Sequence, residues 1–324
     1  MSVLIPAYNP ETTIQATLDS VLAQTRQADE IFVMDDGSTD NTASILKRYE
    51  PRITVFRQSN KGVASARNEL VARASGDLIA FLDSDDVWHP SYLEVQGRMY
   101  QQHPNAVAFF TGHLQFYGYG DCEWADHAVE AKNEPEILHA PDFLERYHKY
   151  PLCFTSPSFC CIPKSVLRKI EAIDGAPFRA ELSGADDFYL LHMLPLLGPI
   201  MYTPSLLAAY RVTNDTLSAQ RLMVIAQAVH AMELIKHRYC GLREEKLSTL
   251  FSLLLASKRR EYSRVLMGAG DPHEARKQLR YSLRSVSNPL SLAKSLVWLF
   301  LTHMPGFLQP TWPLPYNRSR APAH

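Results

Sequence analysis

Four apolar runs, at 2–6, 31–34, 53–56 and 79–82, punctuate the first part of the chain. Each has the length of a strand and none alternates with polar residues, the pattern of strands covered on both faces. Between them, apolar residues recur at helical spacing. Ile14, Leu18, Val21 and Leu22 share one face of a predicted helix over 11–24. Ile45, Leu46 and Tyr49 mark a second helix, and Val63, Ala66, Leu70 and Ala74 a third. Strands alternating with helices predict an α/β domain: a mostly parallel sheet, helices on both faces, right-handed crossovers.

The pattern then changes. Pro90 opens a helix running to about His103, and 106–111 and 114–117 read as two strands. Residues 118–150 are rich in charge, Gly and His, a loop with a short helix from Pro141. The stretch 152–162 reads as irregular and partly buried. Helices follow from Lys164 and from 183–189 to about Leu197, and 206–212 is apolar. From 219 onward the pattern is helical only, with candidates at 219–238, 244–267, 272–286 and 289–302. The third pairs an apolar stripe (Ala275, Leu279, Leu283, Val286) with Arg276, Arg280 and Arg284, a basic amphipathic helix of the kind that lies on membranes. The run 296–301 is the most apolar of all, but far too short to span a bilayer.

Charge divides at the same place. Net charge over the 324 residues is −1, yet 1–235 hold 18 Lys and Arg against 29 Asp and Glu, while 236–324 hold 15 against 5. A basic tail of this kind meets a membrane surface, nucleic acid or the acidic half itself. No nucleic-acid-binding module is visible, so nucleic acid is not an expected partner. Five cysteines (Cys122, Cys153, Cys160, Cys161, Cys240) lack C-x-x-C spacing and read as reduced thiols, not a zinc site. The chain opens on a strand pattern without a leader-like one.

Asp83, Asp85 and Asp86 come directly after the run 79–82. A buried parallel strand delivers the residues beyond its end to the carboxyl edge of its sheet, where α/β ligands bind. Three carboxylates within four residues repel one another. A hard cation, Mg²⁺ or Mn²⁺, compensates such a group, commonly with substrate phosphates as co-ligands. The plainer alternative is a solvated acidic turn capping the helix near Pro90. Asp35 and Asp36 close the run 31–34 similarly. Asp186 and Asp187 open a predicted helix, where carboxylates also serve as caps. Clusters converging on one sheet edge imply a cleft for a cation-bound anionic ligand. No G-x-G-x-x-G follows the first strand and no G-x-x-x-x-G-K-[ST] occurs, which excludes the dinucleotide fingerprint and the P-loop. Lys61 and Arg67 are then candidates for holding phosphate, or are ordinary surface charges.

In order stand VLIPAYN, DEIFVMDDGSTDNT, NKGVASARN, SGDLIAFLDSDDVWHP and SGADDFYLL. Together, over roughly residues 1–215, they resemble the family-2 glycosyltransferases with the GT-A fold. The resemblance implies a Rossmann-like GT-A catalytic domain over 1–218, and the helical, basic pattern beyond it marks a C-terminal region over 219–324. It implies inverting transfer of one sugar from a nucleotide-diphosphate sugar, a UDP-sugar foremost, to a hydroxyl of a glycan or lipid-linked acceptor in cell-surface polysaccharide assembly. Pro6, Ala7 and Tyr8 would line the nucleobase pocket, with Tyr8 stacking. Asp36 would accept the imide N–H, with Asp35 helping, and Arg67 would lie near base or phosphate. Asp85 and Asp86 would be the metal pair, with Asp86 the direct ligand to Mn²⁺ or Mg²⁺ and Asp85 near the ribose. Asp187 would be the catalytic base beside Asp186. The expected location is cytoplasmic, at the inner membrane face, with the basic helices touching it. Many relatives have Glu-Asp in place of Asp186-Asp187, and a His where Thr213 follows Tyr210-Arg211. The Q-x-x-R-W motif of processive relatives is absent, which favours single-sugar transfer. An inactive nucleotide-sugar-binding scaffold is the alternative, and intact Asp86 and Asp187 argue against it.

Overall fold

The computed structural model describes residues 1–120, 122, 124, 134–150, 156–213, 220–239, 245–284 and 288–303. It divides the chain into two compact units, Met1–Ala219 and Gln220–His324. In the first, β1 (Ser2–Ala7), β2 (Glu30–Asp35), β3 (Thr54–Arg57) and β4 (Leu78–Phe81) pair in parallel, in the order β3-β2-β1-β4. Every residue of β1 and of β4 is buried, as their unbroken apolar runs require. Helices α1 (Ile14–Leu22), α2 (Thr42–Lys47) and α3 (Val63–Arg73) connect them. The chain builds outward from β1 to β3, then returns to place β4 on the other side of β1. That reversal opens a crevice at the carboxyl ends of β1 and β4.

Beyond β4 the sheet is mixed. The two-residue β5 (Val87–Trp88) leads into α4 (Tyr92–Gln102), then β6 (Ala108–Tyr117), β7 (Glu136–Leu138), α5 (Ala140–Lys149), β8 (Cys160–Pro163), α6 (Lys164–Asp174), α7 (Asp186–Leu197) and β9 (Ile200–Val212). Strand order continues β4-β8-β6-β9-β5, with β7 also on β9. Only β6 and β9 are parallel among these neighbours.

Two local expectations change. The strands expected at 106–111 and 114–117 are one strand, β6, whose register against β9 shifts between Thr111 and His113. Gly112 sits at that irregularity, where a Cβ would lie 2.5 Å from the Pro204 carbonyl oxygen. The stretch expected to be irregular at 152–162 contains a 3-10 turn, Pro157–Phe159, and the start of β8, which lies between β4 and β6. Residues 151–155 lie outside the described residues, as do 121, 123 and 125–133 of the loop expected ahead of Pro141. The core joins both halves of this unit: Val3, Ile5, Val33 and Ala80 pack in one cluster with Trp88, Tyr92, Phe109 and Phe159. Trp88 stacks on Tyr92 with centroids 4.2 Å apart.

The second unit contains α8 (Arg221–Tyr239), α9 (Glu245–Gly268), α10 (Pro272–Arg284) and α11 (Pro289–Leu301). Its core takes Ala231, Met232 and Ile235 from α8, Phe251, Leu254, Leu255 and Leu266 from α9, and Ala275 and Leu279 from α10. No helix among the described residues is long and apolar enough to cross a membrane. Cys122, Cys160 and Cys161 are free thiols, while Cys153 and Cys240 lie outside the described residues.

Candidate active site

The loop after β1 carries Tyr8 and Asn9. Pro6 and Ala7 are buried, while the Tyr8 ring is 51% exposed, unusual for a large aromatic beside a core strand. Asn9 ties this loop to the one after β2: its N–H donates to Ser38 Oγ at 3.0 Å, and its Oδ1 accepts the Thr39 N–H at 2.8 Å. The Ala7 carbonyl accepts the Asp36 N–H at 2.8 Å, joining the ends of β1 and β2.

Asp35 and Asp36 are both buried. Asp35 accepts the Ser38 N–H at 2.8 Å and pairs with Arg57 at 3.4 Å. Asp36 accepts from Gln58 Nε2 (2.7 Å) and from the backbone N–H groups of Lys61 (2.9 Å) and Gly62 (2.8 Å). The turn before α3 is thereby fixed to the end of β2. Gly37 makes this possible: its φ is +80°, and a Cβ there would lie 2.8 Å from the Asn60 nitrogen. Lys61 contributes its backbone here, while the residue itself is exposed.

Arg67, expected near base or phosphate, lies among the carboxylates. It is buried on α3, donates Nη2 to Asp83 at 2.6 Å and Nη1 to Asp186 at 2.9 Å, and lies over the Phe178 ring at 5.3 Å. Burial opposes its charge, but Asp83, Asp186 and Asp187 together outweigh that and raise its pKa. One guanidinium thus joins the loop after β4 to the first turn of α7. Asp83 is further oriented by Ser156 Oγ at 3.3 Å, and its N–H donates to Ser158 Oγ at 3.0 Å.

Asp86 is buried. Its Oδ1 accepts the Arg211 N–H at 3.0 Å, whereas Oδ2, equally buried, has no hydrogen-bond partner. Burial, followed by the charges of Asp85 and Asp83, pushes its carboxyl well above the usual range. Burial, with Asp83 beside it, pushes Asp85 up to about 6. A buried carboxylate oxygen without a donor is costly unless something neutralises it. The fit to a divalent cation is therefore good at Asp86. Among the described residues no three His, Cys, Asp or Glu side chains gather in ligand geometry.

Asp187, part-exposed in the first turn of α7, has its Oδ1 accepting the Phe188 N–H at 2.6 Å. Burial and the Asp186 charge push its carboxyl up to about 7, with Arg67 opposing them. Asp186 is raised too, chiefly by burial, while its ion pair with Arg67 pulls the other way.

Several supporting residues have roles that the sequence does not signal. Arg211, fully buried on β9, donates Nε to the Asp85 carbonyl (2.8 Å) and Nη1 to those of Gly118 and Gly120 (2.9 Å each). Thr13 and Thr17 donate their hydroxyls to the Ser84 carbonyl at 2.9 and 3.0 Å, and Thr17 also to that of Asp86 at 2.8 Å. These groups fix the backbone of the acidic loop, so its three carboxylates are presented from a rigid turn.

Comparison with known proteins gives this geometry a lineage. The family described as "Glycosyl transferase family 2" matches residues 2–171. An uncharacterised glycosyltransferase of Nostoc sp. is 30% identical over 225 residues, 68% of this chain and 67% of that protein. WfgD of Escherichia coli, a UDP-Glc:alpha-D-GlcNAc-diphosphoundecaprenol beta-1,3-glucosyltransferase, is 42% identical over 117 residues, 36% of this chain and under half (46%) of WfgD. Among solved structures, S. aureus TarS 1-349 in complex with UDP-GlcNAc superposes with a TM-score of 0.69 at 17% identity, covering 93% of this chain and 89% of that one. The chain belongs to glycosyltransferase family 2 and has the GT-A fold.

Proposed function

We propose that the chain is a cation-dependent, inverting glycosyltransferase that moves one sugar from a UDP-sugar to a hydroxyl of a glycan or lipid-linked acceptor, in polysaccharide assembly at the cytoplasmic membrane face. The observation that carries the reading is the contrast between two acids of one network. Asp86 keeps a buried oxygen without a donor, and Asp187 is poised to exchange a proton near neutral pH. The UDP-GlcNAc complex of the TarS fold and the lipid-diphosphate acceptor in the name of WfgD support the choice of donor and acceptor class.

In this reading Tyr8 stacks on the nucleobase between Pro6 and Ala7, and the carboxylates of Asp35 and Asp36 stand beside it. Asp86, with Asp85, would hold Mn²⁺ or Mg²⁺. A cation there supplies Lewis-acid neutralisation of the charge that develops on the departing diphosphate. Asp187 takes the proton of the acceptor hydroxyl as that oxygen attacks the anomeric carbon from the face opposite the leaving group. Arg67 aligns Asp186 and opposes the burial that raises its carboxyl, so that Asp187 stands beside a fixed acidic neighbour. Lys61, exposed at the turn before α3, is available to the diphosphate.

The test is transfer from UDP-sugars to a panel of soluble glycan and lipid-diphosphate acceptors, with the product anomer read by proton NMR. Product with anomeric configuration opposite to the donor's supports the reading. Retention of configuration would remove Asp187 as a base of this kind.

A further inference from the structure

Helix α11 buries serines and leaves an apolar arc exposed. Its buried residues are Ser291 and Ser295, with Thr302 just beyond its end, all on one stripe. Four of its apolar residues face away: Leu290, Leu296, Val297 and Phe300 are 66%, 56%, 57% and 67% exposed, while Leu292, Trp298, Leu299 and Leu301 are part-buried. Ala293 is exposed among them, and the helix contains no acidic residue. An amphipathic helix ordinarily buries the opposite arc.

The cause is Arg260 on α9. It is 8% exposed, and its Nη1 donates to Ser291 Oγ at 3.0 Å, Ser295 Oγ at 3.1 Å and Ser282 Oγ at 3.4 Å. Ser282 and Ser295 are themselves 2.8 Å apart. Burial, with Arg264 nearby, lowers the pKa of Arg260. Rotating α11 to bury its leucines would take these hydroxyls from a buried cation, which is expensive. The polar side is therefore locked inward, and the apolar arc is held outward.

We propose that this arc of α11, rather than the basic face of α10, is the element that enters a membrane, lying in the plane of an anionic bilayer surface. The proposal deepens the membrane-face part of the function above and rests on it only for biological context. Charge selects the occupant. Over 272–303 the chain has Arg276, Lys277, Arg280, Arg284 and Lys294 against Glu274 alone. A second copy would bring the same positive field to the face and be repelled, whereas anionic headgroups complement it. Lys294 is exposed beside the arc, and Trp298 lies at its margin, part-buried with the Arg264 guanidinium 5.6 Å from its ring centroid. Tryptophan at an apolar–polar boundary is a typical interfacial anchor. With 13 residues, α11 is about 20 Å long, too short to span and suited to lying flat.

The test is flotation of the full chain with vesicles of phosphatidylcholine, alone or mixed with phosphatidylglycerol, without donor or acceptor. A chain that transfers no sugar can still pass it, so failure here and failure of the enzymatic reading are separable. Wild-type protein is expected to float with the anionic vesicles, less so at high salt, with a blue-shifted tryptophan emission. The double variant Leu296→Glu/Phe300→Glu, at exposed positions, is expected to keep its circular dichroism and lose roughly tenfold or more of its binding. Binding undiminished in that variant, or equal binding to neutral vesicles, would overturn the proposal. So would a concentration-dependent dimer abolished by the variant, which would assign the arc to a second copy. Flotation that emerges only after residues 304–324 are removed would also overturn it, assigning the arc to that segment.

Discussion

Without its guanidinium, Arg67 would leave Asp83 and Asp186 as neighbouring acids with no counter-charge. Breaking a buried pair by removing one partner costs about 3–5 kcal/mol, because the orphaned charge stays buried. Arg67→Met is therefore expected to lower the urea midpoint by that equivalent with an unchanged m-value. A midpoint equal to wild type would mean the pair contributes nothing net. Asp187→Asn is the complementary change: it keeps the size and removes the base. It should leave UDP affinity intact and reduce kcat by about 10²–10⁴-fold. Near-normal turnover in this variant would transfer the role of base to Asp186.

At the scale of elements, the turns matter more than the strands. Gly37 adopts φ +80° against the Asn60 nitrogen, so Gly37→Ala combines strain with a clash. The expected outcome is a loss of about 1–3 kcal/mol with weaker UDP binding, read by calorimetry; unaltered binding would detach this turn from the donor site. The parallel strands and their acids were legible because a run such as 79–82 is unbroken by polar residues and ends abruptly in Asp83. Strand β8 was not, since its four residues end in proline and its partners β4 and β6 lie far away in sequence. Arg211 was legible only as a landmark before Thr213, and its role was hidden for a related reason: it acts on the carbonyls of Asp85, Gly118 and Gly120, and carbonyls leave no side-chain pattern. Arg67 was legible as a candidate site residue, but its pairing with Asp186 was not, because it spans 119 positions. The apolar run of α11 was legible as a surface candidate. Its inward serines became meaningful only once Arg260 stood opposite them.

At the scale of the whole molecule, the raised Asp187 carboxyl links stability and activity to pH. Its pKa is about 7 in the folded chain and near 3.9 unfolded, so between these values the folded state binds more protons. Stability should consequently fall as pH rises from about 4 to 7, and Asp187→Asn should flatten that part of the curve. Thermal melts across this range check the sign; a wild-type slope no steeper than the variant's would contradict it. A base must be ionised to accept a proton, so turnover should rise with pH through the same region, with an acid limb near 7.

The most direct test of the central claim is thermal stabilisation of the purified chain by UDP, GDP and dTDP with Mn²⁺, Mg²⁺ or EDTA, in wild type and Asp86→Ala. A ligand at about 100 times its Kd adds about 2.7 kcal/mol, well within reach of a melt. The account predicts stabilisation by UDP, strengthened by cation, abolished by EDTA and lost in Asp86→Ala. A folded chain that no nucleotide stabilises, with or without cation, would contradict it and leave the acidic loop a structural feature.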